Sequence, residues 1–138
     1  MAFETGARVR FAHVDAAGIV FYPRYFEMLN EAVEDWFASM DHDFHTLHLV
    51  RKIGTPMVSL KCEFTAASVL GDRLTINIAP THVGRTSCAF EFRVRGDEGD
   101  RFLGSGVMVC MDLQTRSSIP WPDHLRTAMI AARSSGQS

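Results

Sequence analysis

The segment His13-Val14-Asp15-Ala16-Ala17-Gly18-Ile19-Val20-Phe21-Tyr22-Pro23 sets an acid and a histidine in otherwise apolar surroundings. Proline is favoured at the first position of a helix, where its missing N–H would have had no partner, so Pro23 marks a helix start and Tyr22 the N-cap. The first turn of such a helix offers backbone N–H groups without intrahelical acceptors and the positive end of the helix dipole. It can therefore stabilise negative charge building on a substrate oxygen. Beside it, Asp15 could act as a nucleophile, as a general base for water, or only as the cap of a turn. Gly18 removes a side chain where a substrate could approach. His13 could assist this site or simply pack at a strand end.

Other chemistry-bearing residues offer less. His42, His45 and His48 invite a metal reading, but on a regular helix i+6 lies about 240° round from i, so the three cannot converge on one ion. Gly104-Ser105-Gly106 lacks the spacing of a nucleophile elbow, and its glycines are better suited to close backbone approach or strand bending. No dinucleotide or phosphate-loop glycine pattern is present. Cys62, Cys88 and Cys110 are odd in number, widely spaced and set in apolar runs, which reads as free thiols in a reducing compartment.

The elements that must position Asp15 are legible from periodicity. Phe26, Leu29, Val33 and Trp36, joined by Ala32 and Phe37, follow helical spacing, with Glu27, Glu31, Glu34 and Asp35 on the polar side. Val58, Leu60, Cys62 and Phe64 alternate with polar residues, as do Leu74, Ile76 and Ile78, and then Cys88, Phe90, Phe92 and Val94. Each run predicts a strand with one buried face. Turns at Gly71-Asp72 and over 96–100 suggest that consecutive strands pair as an antiparallel meander. The run 102–113 is apolar at both parities around Val107 to Met111, as expected of a central or interface strand. A short first strand is expected over 8–13, with Val9 and Phe11 on one face, and a closing helix over 118–132. One helix cannot cover both faces of such a sheet, so the sheet should curl around it and leave a surface or edge for another subunit. The fold class expected is α+β, a curled antiparallel β-sheet wrapped around one long central α-helix.

Composition sets the bounds. The chain has 138 residues, 46% of them hydrophobic and 22% charged, enough for one packed domain over 1–138 with a polar tail, 133–138, expected to fray. The net charge is −2, from 14 Lys and Arg against 16 Asp and Glu, and the basic residues are scattered, which argues against nucleic acid as a partner. No secretory leader pattern opens the chain and no long apolar window follows, so no membrane association and a cytoplasmic location are expected.

The stretch from Asp15 through Gly18 and Tyr22 to Tyr25, the helix behind it, and Gly54-Thr55-Pro56-Met57-Val58-Ser59 resemble the hotdog-fold acyl-CoA thioesterases of the 4-hydroxybenzoyl-CoA thioesterase family. The resemblance covers roughly residues 7–115. It implies that Asp15 is the catalytic carboxylate, attacking the thioester carbonyl or activating water, and that the Tyr22 N–H polarises that carbonyl. It also places Asn30 where the 4-hydroxybenzoyl enzyme carries an aspartate that recognises the phenolic hydroxyl. Asparagine is uncharged, so another aromatic or a modest acyl group is equally admissible. Arg85, in His82-Val83-Gly84-Arg85-Thr86-Ser87, is the implied contact for coenzyme A phosphate, and Thr55 would reach the site from a neighbouring subunit.

The expected activity is therefore hydrolysis of an acyl-CoA, with aromatic acyl groups preferred, by a homodimer or a dimer of dimers. Coenzyme A is part of the substrate, and no metal or redox cofactor is needed, because thioester hydrolysis requires only an activated attacker and oxyanion stabilisation. Two alternatives remain: an acyl-thioester hydratase or dehydratase with His13 as base, and a non-catalytic acyl-binding module.

Overall fold

A computed structural model describes residues 2–133. Most of the tail expected to fray, 134–138, lies outside the described residues. The strands are β1 (Phe3–Arg8), β2 (Ile53–Gly54), β3 (Met57–Phe64), β4 (Arg73–Val83), β5 (Ser87–Gly96), β6 (Gly99–Val109) and β7 (Met111–Asp112); the helices are α1 (Pro23–Ser39) and α2 (Asp123–Ala132). Five strands form one antiparallel sheet in the order β1-β4-β5-β6-β3, and β2 pairs with β7.

The period-two pattern finds its expected face in β4 and β5. Leu74, Ile76 and Ile78, with Cys88, Phe90, Phe92 and Val94, are buried against the apolar stripe of α1, where Tyr25, Met28, Leu29, Ala32, Val33, Trp36 and Phe37 lie. Successive side chains of a strand point to opposite faces, so Thr75, Asn77, Glu91 and Arg93 fall on the outside. The sheet curls around α1 as expected. Phe26 is only partly buried, packed against the core among Phe64 and Phe102.

Strand neighbours differ from the meander reading. Only β4, β5 and β6 follow one another as hairpins, whereas β3 pairs with β6 at the far edge and β4 takes β1 as its other neighbour. The turn at Gly71-Asp72 belongs to a crossover, residues 65–72, that carries the chain from one side of the sheet to the other. Two strands separate β3 from β4, a lateral gap of about 14 Å at ~4.8 Å per strand, within reach of the crossover's extended length. This segment is anchored to the β1 end by Val9 N–H donating to Asp72 O and Gly71 N–H to Val9 O, both at 2.9 Å.

The edge position overturns the expectation of a buried face on β3: Val58 is 60% exposed and Phe64 47%, because within one chain this edge strand has a neighbour on one side only, and α1 reaches it only at the Phe64 end. The first strand also falls earlier than 8–13. Val9 is buried, but Phe11 is 81% exposed in a tight turn, since the chain must leave the sheet there to reach the Asp15 segment. At the C-terminus, helix begins only at Asp123; Pro120 and Pro122 hold the preceding residues extended, and Ile119 N–H donates to Cys110 O at 2.9 Å. β6 is an interior strand, but within one chain only one of its faces is buried: Phe102 and Met108, with Cys110 just beyond the strand, are buried, whereas Val107, Val109 and Met111 on the other face are half-exposed, because no element of the same chain packs on the outer side of the sheet there. A Cβ on Gly104 would come within 2.8 Å of the Cys62 Cα, so glycine there permits the close approach of β6 to β3.

Candidate active site

The Asp15 segment folds as a small hairpin whose arms meet at Val14 and Val20. Asp15 N–H donates to Ile19 O at 3.0 Å and Phe21 N–H to His13 O at 2.9 Å. At the tip, Ala17 N–H donates to Asp15 Oδ1 at 2.8 Å and Gly18 N–H to Asp15 O at 2.9 Å. Gly18 has φ +80°, a conformation that a side chain disfavours, so backbone freedom as well as open space specifies glycine here. Asp15 thus caps its own turn with one carboxylate oxygen, while Oδ2 has no hydrogen-bond partner among the described residues. The side chain is exposed.

The hairpin's second arm runs directly into α1. Pro23 occupies the first helical position and Tyr22 is the N-cap, as the sequence predicts, with no side-chain cap. Arg24 N–H turns back to Phe21 O at 2.8 Å and Tyr25 N–H to Tyr22 O at 3.1 Å. Proline has no N–H, so these two bonds leave the Tyr22 N–H as the amide at this helix end without an acceptor among the described residues. It belongs to the positive end of the helix dipole, directly after the hairpin in the chain. The Tyr22 ring lies edge-on to Phe21 and to Phe64, with centroids 5.6 and 5.8 Å apart.

His13 is engaged otherwise: its Nδ1 accepts the Arg10 N–H at 2.8 Å. In that state a neutral ring carries its proton on Nε2 and has no free basic nitrogen, so the geometry favours the packing role over that of a base.

The remaining predicted residues are not gathered around Asp15 in one chain. Asn30 and Thr55 line a common cleft of about 430 Å³ with Val33, Phe44, His48 and Met108. That cleft includes neither Asp15 nor Tyr22. Thr55 precedes β3, whereas the hairpin lies near Phe64 at its other end; the extended run from Thr55 to Phe64 spans up to ~30 Å at ~3.3 Å per residue. Arg85 is exposed in the turn between β4 and β5, far from the end of β4 where the crossover enters. Its carbonyl accepts Trp121 N–H at 3.0 Å, and the neighbouring carbonyls of Val83 and Gly84 accept from the Arg126 guanidinium of α2.

No cluster of three potential metal-ligating side chains occurs among the described residues. His42 is buried with Nδ1 2.7 Å from Met40 O and its ring stacked on His124, while His48 lies in a π-helical turn, His45–Val50, with Nδ1 3.1 Å from Phe44 O. The cysteines are free; burial pushes the Cys88 thiol up to about 12 and the Cys110 thiol to about 11. Among the described residues no helix is long and apolar enough to cross a membrane.

Sequence reasoning missed Ser68. It is fully buried in the crossover, takes the Tyr25 hydroxyl on its Oγ at 2.8 Å, and offers its carbonyl to the Val20 N–H at 2.9 Å. A lone serine between two small residues and a valine carries no local signal of such contacts, which depend on strand order.

An antiparallel sheet curled round one helix, with an acidic hairpin leading into an amide-bearing helix N-terminus, defines a hotdog-fold thioesterase. The chain belongs to the thioesterase-like superfamily, whose family model matches residues 9–129. It is 27% identical over 129 residues to the 1,4-dihydroxy-2-naphthoyl-CoA hydrolase of Synechocystis, covering 92% of this chain and 94% of that one. Among solved structures, a Synechocystis 1,4-dihydroxy-2-naphthoyl-CoA thioesterase superimposes with a TM-score of 0.85 at 25% identity, over 94% of this chain and 96% of that one. A gentisyl-coenzyme A thioesterase superimposes with a TM-score of 0.83 at 27% identity, over 92% and 99%.

Proposed function

We propose that this chain hydrolyses an aromatic acyl-CoA thioester, with Asp15 as the attacking or water-activating carboxylate and the Tyr22 N–H as the donor to the thioester oxygen. One observation carries the reading: among the described residues, Asp15 Oδ2 has no partner and the Tyr22 N–H no acceptor, and both belong to the one hairpin that leads into α1. Either Oδ2 attacks the carbonyl carbon, or it takes a proton from water that attacks. In both cases charge develops on the carbonyl oxygen, the Tyr22 N–H stabilises it, the C–S bond breaks, and the coenzyme A thiolate leaves to be protonated; where Oδ2 is the attacker, water then hydrolyses the Asp15–acyl anhydride, releasing the acid and restoring the carboxylate. A donor aimed at a developing oxyanion contributes about 2.7–4 kcal/mol in enzymes where it has been removed. The scheme uses no metal or redox group.

Two similar proteins carry the names of aromatic CoA thioester hydrolases, one acting on 1,4-dihydroxy-2-naphthoyl-CoA and one on gentisyl-CoA, which supports an aromatic acyl group. Asn30 would meet a polar ring substituent, and Arg85 the coenzyme A phosphates. The full arrangement needs two chains. Pairing of the exposed β3 edges antiparallel about a two-fold axis would carry Thr55 of the partner subunit to the Phe64 end, beside the hairpin. Release of free thiol from a panel of aryl and alkyl CoA thioesters tests the proposal. Turnover confined to aryl thioesters is expected; a preference for long alkyl chains would overturn the substrate class, and no hydrolysis of any thioester would favour a binding module.

A further inference from the structure

Arg101 is a charged residue with only 8% of its surface exposed, set at the irregularity where the register of β6 against β5 shifts between Asp100 and Phe102. Burying a guanidinium is costly unless its donors are matched, and here Nη1 lies 2.8 Å from Asp72 Oδ2, 3.0 Å from Ser68 Oγ and 3.1 Å from Ala67 O. All three partners belong to the crossover 65–72. The space is reserved for this side chain, because a Cβ on Gly96 would fall on the guanidinium. Asp72 Oδ2 also accepts the Val69 N–H at 3.0 Å, so the ion pair brackets Ser68 and Val69.

Those two residues hold both halves of the proposed active site. Val69 bridges Ile19 and the Ser68 carbonyl accepts the Val20 N–H, which fixes the arm of the hairpin that follows Asp15. The Ser68 Oγ, itself held by Arg101, receives the Tyr25 hydroxyl and so fixes the first turn of α1, next to Tyr22.

We propose that Arg101 is a positioning residue for hydrolysis: by locking Ser68 and Val69 it sets the Asp15 hairpin and the Tyr22 N–H at their working separation. The inference rests on the proposed roles of Asp15 and Tyr22. The hydrogen bond from Arg101 holds the Asp72 carboxyl below its ordinary value. Displacements of about 1 Å between reacting groups can cost on the order of a hundredfold in rate, so the effect belongs in turnover more than in substrate affinity.

The test combines kinetics with amide hydrogen exchange on the full-length chain, using the aryl-CoA thioester it turns over best. In Arg101→Met, kcat is expected to fall roughly ten- to a hundredfold with KM changed less than about threefold. The Val20 amide should exchange faster while the Ile78 amide, in the middle of β4, keeps its protection. Arg101→Lys should recover part of kcat. In an Asp15→Asn background, Arg101→Met should cost clearly less than in the wild type, because the part of its effect that runs through Asp15 is already lost. Gly96→Ala, which keeps every charge and only displaces the guanidinium, should repeat the kcat loss and decides the matter if Arg101→Met does not fold. Unchanged Val20 exchange, or loss of protection at Ile78 in step with Val20, would overturn the positioning role whatever Asp15 does. Wild-type turnover in Asp15→Asn alone would instead overturn the reading on which the inference rests.

Discussion

Asp15→Asn and Asp15→Ala together separate a catalytic carboxylate from a turn cap. In the structure Oδ1 accepts the Ala17 N–H at 2.8 Å and Oδ2 has no partner among the described residues, so asparagine can keep the turn bond with its one carbonyl oxygen and lose only the charge at the other position. The site is exposed, and stability should stay within about 0.5 kcal/mol of wild type, the usual range for surface changes that break no bond. Alanine removes the turn acceptor as well and should cost about 1 kcal/mol, the typical net contribution of one hydrogen bond. If the free oxygen does the chemistry, both variants lose kcat alike, by at least about a hundredfold, which corresponds to ~2.7 kcal/mol of transition-state stabilisation. Thiol-release kinetics on an aryl-CoA, paired with thermal denaturation, reads both quantities. A turn-capping Asp15 predicts the opposite pattern: Asp15→Asn near wild type in rate, and Asp15→Ala impaired in proportion to its stability. That outcome would remove Asp15 from the mechanism.

Asn30→Ala should lower kcat/KM for benzoyl-CoA substrates bearing a polar ring substituent by about 1–3 kcal/mol in transition-state terms and spare unsubstituted benzoyl-CoA; equal losses on both would show that Asn30 only supports its cleft. Val58→Lys combined with Leu60→Glu, on the exposed β3 edge, should convert a dimer into a monomer in light scattering with loss of turnover, and an unchanged dimer would place the interface elsewhere. Cys88, fully buried with its thiol raised to about 12, should resist iodoacetamide at pH 8 in the native protein and react once the chain is denatured. Because this thiol stays protonated when folded and ionises near 9 when unfolded, it favours the fold below pH 9. That contribution should erode as pH climbs from about 9 towards about 12, visible as a falling denaturation midpoint.

What the sequence by itself determined is what short-range periodicity and turn chemistry encode. Pro23 and the apolar stripe of Leu29, Ala32, Val33, Trp36 and Phe37 specify where α1 begins and which face it buries, since proline's fixed φ and missing N–H suit that position, although the stripe's first member is Tyr25 where the spacing suggests Phe26. The alternation in β4 and β5 names their inward residues without reference to any neighbour. Gly18 and Asp15 mark a turn running into the helix for the same local reason. Strand order, by contrast, depends on where a flexible connection lands. An alternating run such as 58–64 is compatible with any neighbour and with either a core or a subunit interface, so β3 reads as half-buried although it is an exposed edge. The same long-range choice decided the rest of the site. Once the crossover 65–72 passes under the hairpin, Ser68 meets Val20 and Tyr25, and Arg101 gains the partners that let a guanidinium be buried in a strand. Residues far apart in the chain share no periodicity, so these contacts arise only when the sheet closes around α1.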